Sequence, residues 1–219
     1  MNRFQAIESC LVALELRGYE PRLVIDGGAY LGEFSLLAKK SFPDARFHLF
    51  EPQHACLEAL RKLCEVEGFV LHEHALGERS GTLHFRQRDE PHTGAHVLAK
   101  KDSDTTDISA CTLDDVLGGK VDREHRALLK LDVQGHELQA LKGAAKLLSS
   151  IEVVLLEIWF YAPPPAPTTA EMLAFMEGRG FVFYDMGSLS SRPRDNRLRE
   201  GDLVFVRKDS PLLRDSHWD

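Results

Sequence analysis

Two hydrophobic rhythms alternate along this chain. Short, nearly unbroken apolar runs at Leu23 to Asp26, Arg46 to Glu51, Phe69 to His74, Ala127 to Asp132 and Val153 to Glu157 have the length of buried strands. Between them, Gly32 to Lys40, Ala55 to Glu67 and Leu138 to Leu148 place apolar residues at helical spacing. Strands alternating with helices predict an α/β domain built on a parallel sheet. At the N-terminus Phe4, Ile7, Leu11 and Leu14 recur among Glu8 and Glu15, which predicts an amphipathic helix within residues 1–22, ended by Gly18 and Pro21.

Other stretches fill the gaps in that rhythm. Thr82 to Arg86 alternates and, with Ser109 to Leu113, predicts an inserted hairpin or a pair of edge strands before the fourth core strand. Gly94 to Asp107 is rich in Asp, Thr and Ser and reads as an exposed loop over a pocket. After Pro163-Pro-Pro-Ala-Pro167, Thr168 and Glu171 stand at capping-box spacing and open a helix to about Gly178. Phe181 to Asp185 and Leu203 to Arg207 predict two closing strands joined by a long polar hairpin loop. No repeat or second boundary interrupts residues 23–207, so one domain is expected, with a tail over 208–219.

Composition narrows the function class. The chain has 219 residues, 43% hydrophobic and 28% charged, as ordinary soluble domains do. Its net charge of -7 argues against nucleic acid as a partner, because that binding rests on Lys and Arg at phosphates. Cys10, Cys56, Cys64 and Cys111 form no CxxC pair, as expected of reduced thiols in a cytoplasmic protein. No apolar stretch has the length of a membrane span, so no membrane partner is expected. Oligomeric state is not legible.

Candidate chemistry concentrates at two strand ends. Val24-Ile-Asp-Gly-Gly-Ala-Tyr-Leu-Gly-Glu-Phe-Ser35 reads as a strand, a glycine turn and a helix start. Gly28 and Gly32 let the backbone approach a ligand where a Cβ would intrude. Asp26 suits a cationic amino group and repels a pyrophosphate. Glu51 ends the next strand about 25 residues on, near the offset of roughly 20 at which an acid grips a ribose diol in dinucleotide folds. The two acids favour S-adenosylmethionine over NAD. An NAD-dependent oxidoreductase and a catalytically silent cofactor-binding module remain the alternatives. The second strand end, Leu128 to Glu137, places Asp132 beside the expected reacting group.

Several blocks together resemble the FkbM family of S-adenosylmethionine-dependent methyltransferases. Asp26-Gly-Gly-Ala-Tyr-Leu-Gly32 resembles the family's Asp-x-Gly-Ala-Asn-x-Gly loop, and Phe50-Glu-Pro52 its Phe-Glu-Pro. Ala75-Leu-Gly77 with Ser80-Gly81, Thr112-Leu-Asp-Asp115, and Lys130-Leu-Asp-Val-Gln-Gly-His-Glu137 followed by Leu141-Lys-Gly-Ala144 match further segments. Asp202-Leu-Val-Phe-Val-Arg207 is similar to the closing strand. The resemblance implies a Rossmann-like, seven-stranded class I methyltransferase sheet, mostly parallel with an antiparallel C-terminal strand and helices on both faces. It also implies that Asp26, Gly28, Ala29 and Gly32 surround the methionine part of S-adenosylmethionine, with Gly27 and Tyr30 of the same loop in the cofactor site. Glu51 would then serve the ribose, with Pro52 also in the cofactor site, Ala75 and Leu76 would lie near the adenine, and Asp132 beside the sulfonium. Tyr30 departs from the family, which usually has Asn there.

Methyl transfer to oxygen chiefly needs alignment, and for a hydroxyl of a small molecule or glycan a carboxylate or imidazole within hydrogen-bond reach helps as the bond forms. Asp132, His136 and Glu157 are the catalytic candidates. Each has a plain structural alternative: a turn cap, a solvent-facing helix start and a strand-end ion pair, respectively. His72-x-His74 and His92-x-x-x-His96 have spacings that can present two rings together, but no third ligand is evident and no metal is expected. Trp159, Phe160 and Tyr161 either line the acceptor pocket or pack the core.

Overall fold

The computed structural model describes residues 7–86, 90–98, 100–161 and 166–214. Phe4, Pro163, Pro164, Pro165 and the end of the tail from 215 lie outside the described residues. The strands are β1 (Leu23–Gly27), β2 (Arg46–Phe50), β3 (Val70–His72), β4 (Ala75–Leu76), β5 (Gly81–Arg86), β6 (His96–Leu98), β7 (Thr105–Cys111), β8 (Ala127–Leu131), β9 (Ile151–Trp159), β10 (Phe181–Ser191) and β11 (Leu198–Arg207). The helices are α1 (Ile7–Leu16), α2 (Glu33–Ser41), α3 (His54–Glu67), α4 (Leu113–Leu117), α5 (Glu137–Lys142) and α6 (Thr169–Gly178).

Strands β1 and β8 are buried at every position, as a run without polar alternation must be when both faces are covered. They sit at the centre of a seven-stranded sheet of order β10-β11-β9-β8-β1-β2-β3. Pairing is parallel from β9 through β3, and β11 runs antiparallel to both neighbours. The predicted α/β sheet with a reversed C-terminal strand is therefore present.

Period-2 alternation splits the core between the two faces. Leu23, Ile25, Leu129 and Leu131 pack with Leu113, Leu141 and Met176 of α4, α5 and α6. Val24, Leu128 and Val153 pack with Leu11, Phe34 and Leu60 of α1, α2 and α3. Asp26 and Lys130, two residues along from Val24 and Leu128, share the second face beneath α2.

Three elements differ from the sequence reading. The stretch between β3 and β8 forms its own four-stranded sheet, of order β4-β7-β5-β6. Part of the expected loop at Gly94 to Asp107 is thus strand, with His96–Leu98 pairing antiparallel to β5. Strands β10 and β11 extend to Ser191 and back to Leu198, so the hairpin loop is short. The helix expected through Leu148 stops at Lys142, because the chain closes against the β4 segment there. A Cβ on Gly143 would lie 2.0 Å from the Gly77 carbonyl oxygen.

The Thr168 capping box forms, with reciprocal bonds between Thr168 and Glu171. Among the described residues no helix is long and apolar enough to cross a membrane.

Candidate active site

The parallel strands end on one edge of the sheet, and there the structure holds a cavity of about 490 Å³. This is where ligands collect in open α/β sheets. Gly28 brings the ends of β1 and β8 together: its φ is 77°, and a Cβ would fall 1.9 Å from the Asp132 carbonyl oxygen. The Gly28 and Ala29 N–H groups then donate to the Phe50 carbonyl at 2.9 and 3.1 Å, tying the loop to β2.

Tyr30 follows at φ 51°, a left-handed conformation costly for a side chain this bulky. That turn aims its N–H at Glu51 Oε2, 2.7 Å away, while the Gln53 N–H donates to Oε1 at 2.8 Å. Burial pushes the Glu51 carboxyl up to about 7, despite those two bonds and the nearby Lys130 ammonium. Each oxygen keeps a lone pair for a further donor.

Lys130 anchors the loop from beneath. Its Nζ donates to the Gly28 carbonyl at 2.8 Å and pairs with Asp26 Oδ1 at 3.0 Å, and Ser35 Oγ donates to Asp26 Oδ2 at 2.8 Å. Burial pulls the Lys130 pKa down, but Asp26 and Asp132 outweigh it and keep the ammonium charged. Asp26 is fully buried; that burial raises its pKa against the pull of Lys130.

Beyond Lys130 lies a set of carboxylates. Gln134, at φ 54°, donates through Nε2 to Asp132 Oδ1 (2.8 Å) and Glu157 Oε2 (3.0 Å), bridging the two acids. The Trp159 indole also donates to Glu157, at 3.2 Å. Burial first, then the Asp132 and Glu137 charges, raise the Glu157 pKa far above the usual carboxylate range. Because β11 is reversed, its N-terminal half reaches the same edge and sets Asp202 on the cavity wall, where it accepts a bond from Ser188. Burial lowers the His136 pKa to about 4, so this wall-lining imidazole is neutral at pH 7.

The structure thus brings Gly28, Ala29, Tyr30, Glu51 and Pro52 to one cavity. Ala75, Leu76, Asp132 and His136 line it as well. Asp26, Gly27, Gly32 and Glu157 are absent from the lining: Asp26 faces Lys130, and Glu157 stands behind Gln134. Sequence reasoning assigned no role to Lys130, Gln134, Ser188, Asp202 or the Gln53–His92 clasp. In that clasp the His92 N–H donates to Gln53 Oε1 at 2.8 Å and Gln53 Nε2 donates to the His92 carbonyl at 3.2 Å, fastening the inserted segment over the cavity.

His72 stacks on Phe50 at 4.4 Å and meets His48 at 2.9 Å, and the described residues contain no cluster of three or more metal-ligating side chains. Trp159, Phe160 and Tyr161 lie outside the cavity lining, with Tyr161 under Arg192 and Arg197.

The family model described as the methyltransferase FkbM domain matches residues 26–183. Methyltransferase sdnD of Sordaria araneosa is 27% identical over 72% of this chain and 73% of its own length. Hexuronic acid methyltransferase AglP of Haloferax volcanii is 27% identical over 64% of this chain and 56% of its own. The crystal structure of methyltransferase FkbM from Methylobacillus flagellatus KT superposes with a TM-score of 0.55 at 17% identity, covering 85% of this chain and 44% of that one. The present chain therefore spans less than half of that solved protein.

Proposed function

The chain belongs to the methyltransferase FkbM family, and from that premise we propose that it moves the methyl group of S-adenosylmethionine to a hydroxyl oxygen of a small molecule or glycan. One observation carries the reading: adjacent strand ends of β2, β1 and β8 turn Glu51, the glycine loop and Asp132 onto a single cavity.

The residues present suit that cofactor. Glu51 offers a free lone pair on each oxygen, as a ribose diol requires. His74 lines the cavity next to Ala75 and Leu76, and its buried Nδ1 has no hydrogen-bond partner, so it suits a polar atom of adenine. Lys130 is the one Lys or Arg among the described lining residues, against Glu8, Glu33, Glu51, Asp132 and Asp202. Such a wall receives a sulfonium well and the pyrophosphate of NAD poorly.

S-adenosylmethionine supplies, when bound, a methyl carbon activated by positively charged sulfur. The chain's own residues position the acceptor and receive its proton. Asp132, held by Gln134, is the candidate to accept that proton, and the neutral imidazole of His136 is the second candidate. Glu157 acts through Gln134 and orients Asp132. A saccharide acceptor is consistent with the relative named for hexuronic acid methylation.

The test is transfer of labelled methyl from S-adenosylmethionine to a panel of polyols, glycosides and amines by wild-type protein and Asp132→Asn. The expected product is a methyl ether, with Asp132→Asn binding S-adenosylhomocysteine normally but transferring at least tenfold more slowly. Label found only on amines overturns transfer to oxygen, and full activity in Asp132→Asn removes Asp132 from the reacting end.

A further inference from the structure

Lysine is seldom buried in a strand covered on both faces, and it persists there only where charge and hydrogen bonds compensate its desolvation. Lys130 occupies such a position, with 8% of its side chain exposed. The Asp26 pairing accounts for its charge but not for its full donor capacity. An ammonium has three hydrogens. One goes to the Gly28 carbonyl at 2.8 Å; Asp26 Oδ1 is an ion-pair partner at 3.0 Å that takes no hydrogen bond, and Asp132 Oδ2 is 3.8 Å away and beyond hydrogen-bond range. Lys130 nonetheless lines the cavity.

The rest of the lining shows which ligand group that donor fits. A ligand ending in an amino acid brings both an ammonium and a carboxylate. The five carboxylates of the wall offer ample partners for the first and repel the second. Lys130 is the one fixed cation of the described lining, and it stands under Gly28, the loop position expected to meet the methionine part. The Phe34 ring, 5.5 Å from Nζ, restricts the side chain further.

We propose that Lys130 receives the carboxylate of the cofactor's methionine tail through an ammonium hydrogen not used on the Gly28 carbonyl. This rests on the reading of the cavity as an S-adenosylmethionine site. Lys130 then does two jobs with one group: it locks the glycine loop through Gly28 and Asp26, and it recognises the acid end of the ligand. Asp26, in this arrangement, is the counter-charge that keeps Lys130 in place.

The experiment pairs two ligands with two proteins. Calorimetric titrations compare S-adenosylhomocysteine with its decarboxylated analogue, which keeps the amine and lacks the carboxylate, on wild-type protein and on Lys130→Met. Wild-type protein is expected to prefer S-adenosylhomocysteine by at least tenfold, as one charge-assisted hydrogen bond provides. In Lys130→Met that preference should shrink to about twofold or less.

A purely structural lysine would weaken both ligands equally and leave the preference intact, which overturns the proposal. Equal binding of both ligands by wild-type protein overturns it too while leaving the cofactor reading standing. No binding of either ligand by folded wild-type protein removes that reading and the proposal together. Should Lys130→Met fail to fold because Asp26 is left unpaired, the double variant Asp26→Asn with Lys130→Met removes that charge, and the same loss of preference is expected of it.

Discussion

Replacing Glu51 with Gln tests the ribose end of the site through pH. Ribose hydroxyls donate to a carboxylate, so the ligand binds the ionised form and lowers the Glu51 pKa on binding. Affinity should therefore rise with pH through the free-state value of about 7 and level off above it. Between pH 8 and pH 5.5 the ionised fraction falls about 30-fold, worth about 2 kcal/mol at ~1.36 kcal/mol per pKa unit. Glu51→Gln is neutral throughout, and its amide nitrogen meets one of the two backbone N–H groups from Tyr30 and Gln53. At pH 8 it should bind S-adenosylhomocysteine more weakly by about 1.5–3 kcal/mol, one charge-assisted hydrogen bond. Its affinity should also lack the pH dependence that Glu51 supplies. Calorimetry across that pH range measures both. Parallel pH profiles for the two proteins would refute the assignment of Glu51 to the ribose.

Three further outcomes follow from the same geometry. Gly28→Ala must adopt φ 77° and clear a carbonyl oxygen 1.9 Å from its Cβ, so chemical denaturation should show a loss of about 2–5 kcal/mol and cofactor binding should fail; near-native stability would contradict the close approach of β1 and β8. Glu137 sits buried with a carboxyl pushed up to about 7, so its stabilising contribution is full below about pH 4.5 and is lost as pH rises through 7. Its Oε1 accepts both the Val133 and Gly135 N–H bonds, which an amide oxygen also accepts, so Glu137→Gln should gain about 2–3 kcal/mol on wild type between pH 5 and pH 8 in urea denaturation. Equal pH dependence of the two proteins would refute this. Gln53→Ala opens the clasp on His92, and faster amide hydrogen exchange around residues 92–97 with a loss of about 1–3 kcal/mol is expected; unchanged exchange there would show that the clasp does not hold the segment.

The central sheet was legible because its strands are apolar runs of strand length, and the reversed closing strand came with the family resemblance. The inserted sheet was legible only in part. Strand β5 alternates in sequence, but β6 has three half-buried residues and no pattern a loop would lack. Polar positions in Asp185 to Ser191 hid the length of β10, which is half-buried rather than packed on both faces.

At the site, Glu51 and Asp132 were found because an acid ending an apolar strand is visible in sequence. Lys130 carried an equally clear sign, a lysine inside Leu128-Leu129-Lys130-Leu131, which demands a buried partner wherever the strand is covered. Asp26 was read as facing the ligand when it faces that lysine. The bridge from Gln134 to Asp132 and Glu157 depends on a positive φ and on strand register, and neither leaves a sequence signature.

The central claim is that the cavity at the ends of β1, β2 and β8 binds S-adenosylmethionine. Calorimetric titration of the wild-type protein with S-adenosylhomocysteine, with NADH as the matched control, tests it most directly. Saturable one-to-one binding of S-adenosylhomocysteine and none of NADH is the result expected. Binding of NADH alone, or of neither ligand by protein shown to be folded, would contradict the account.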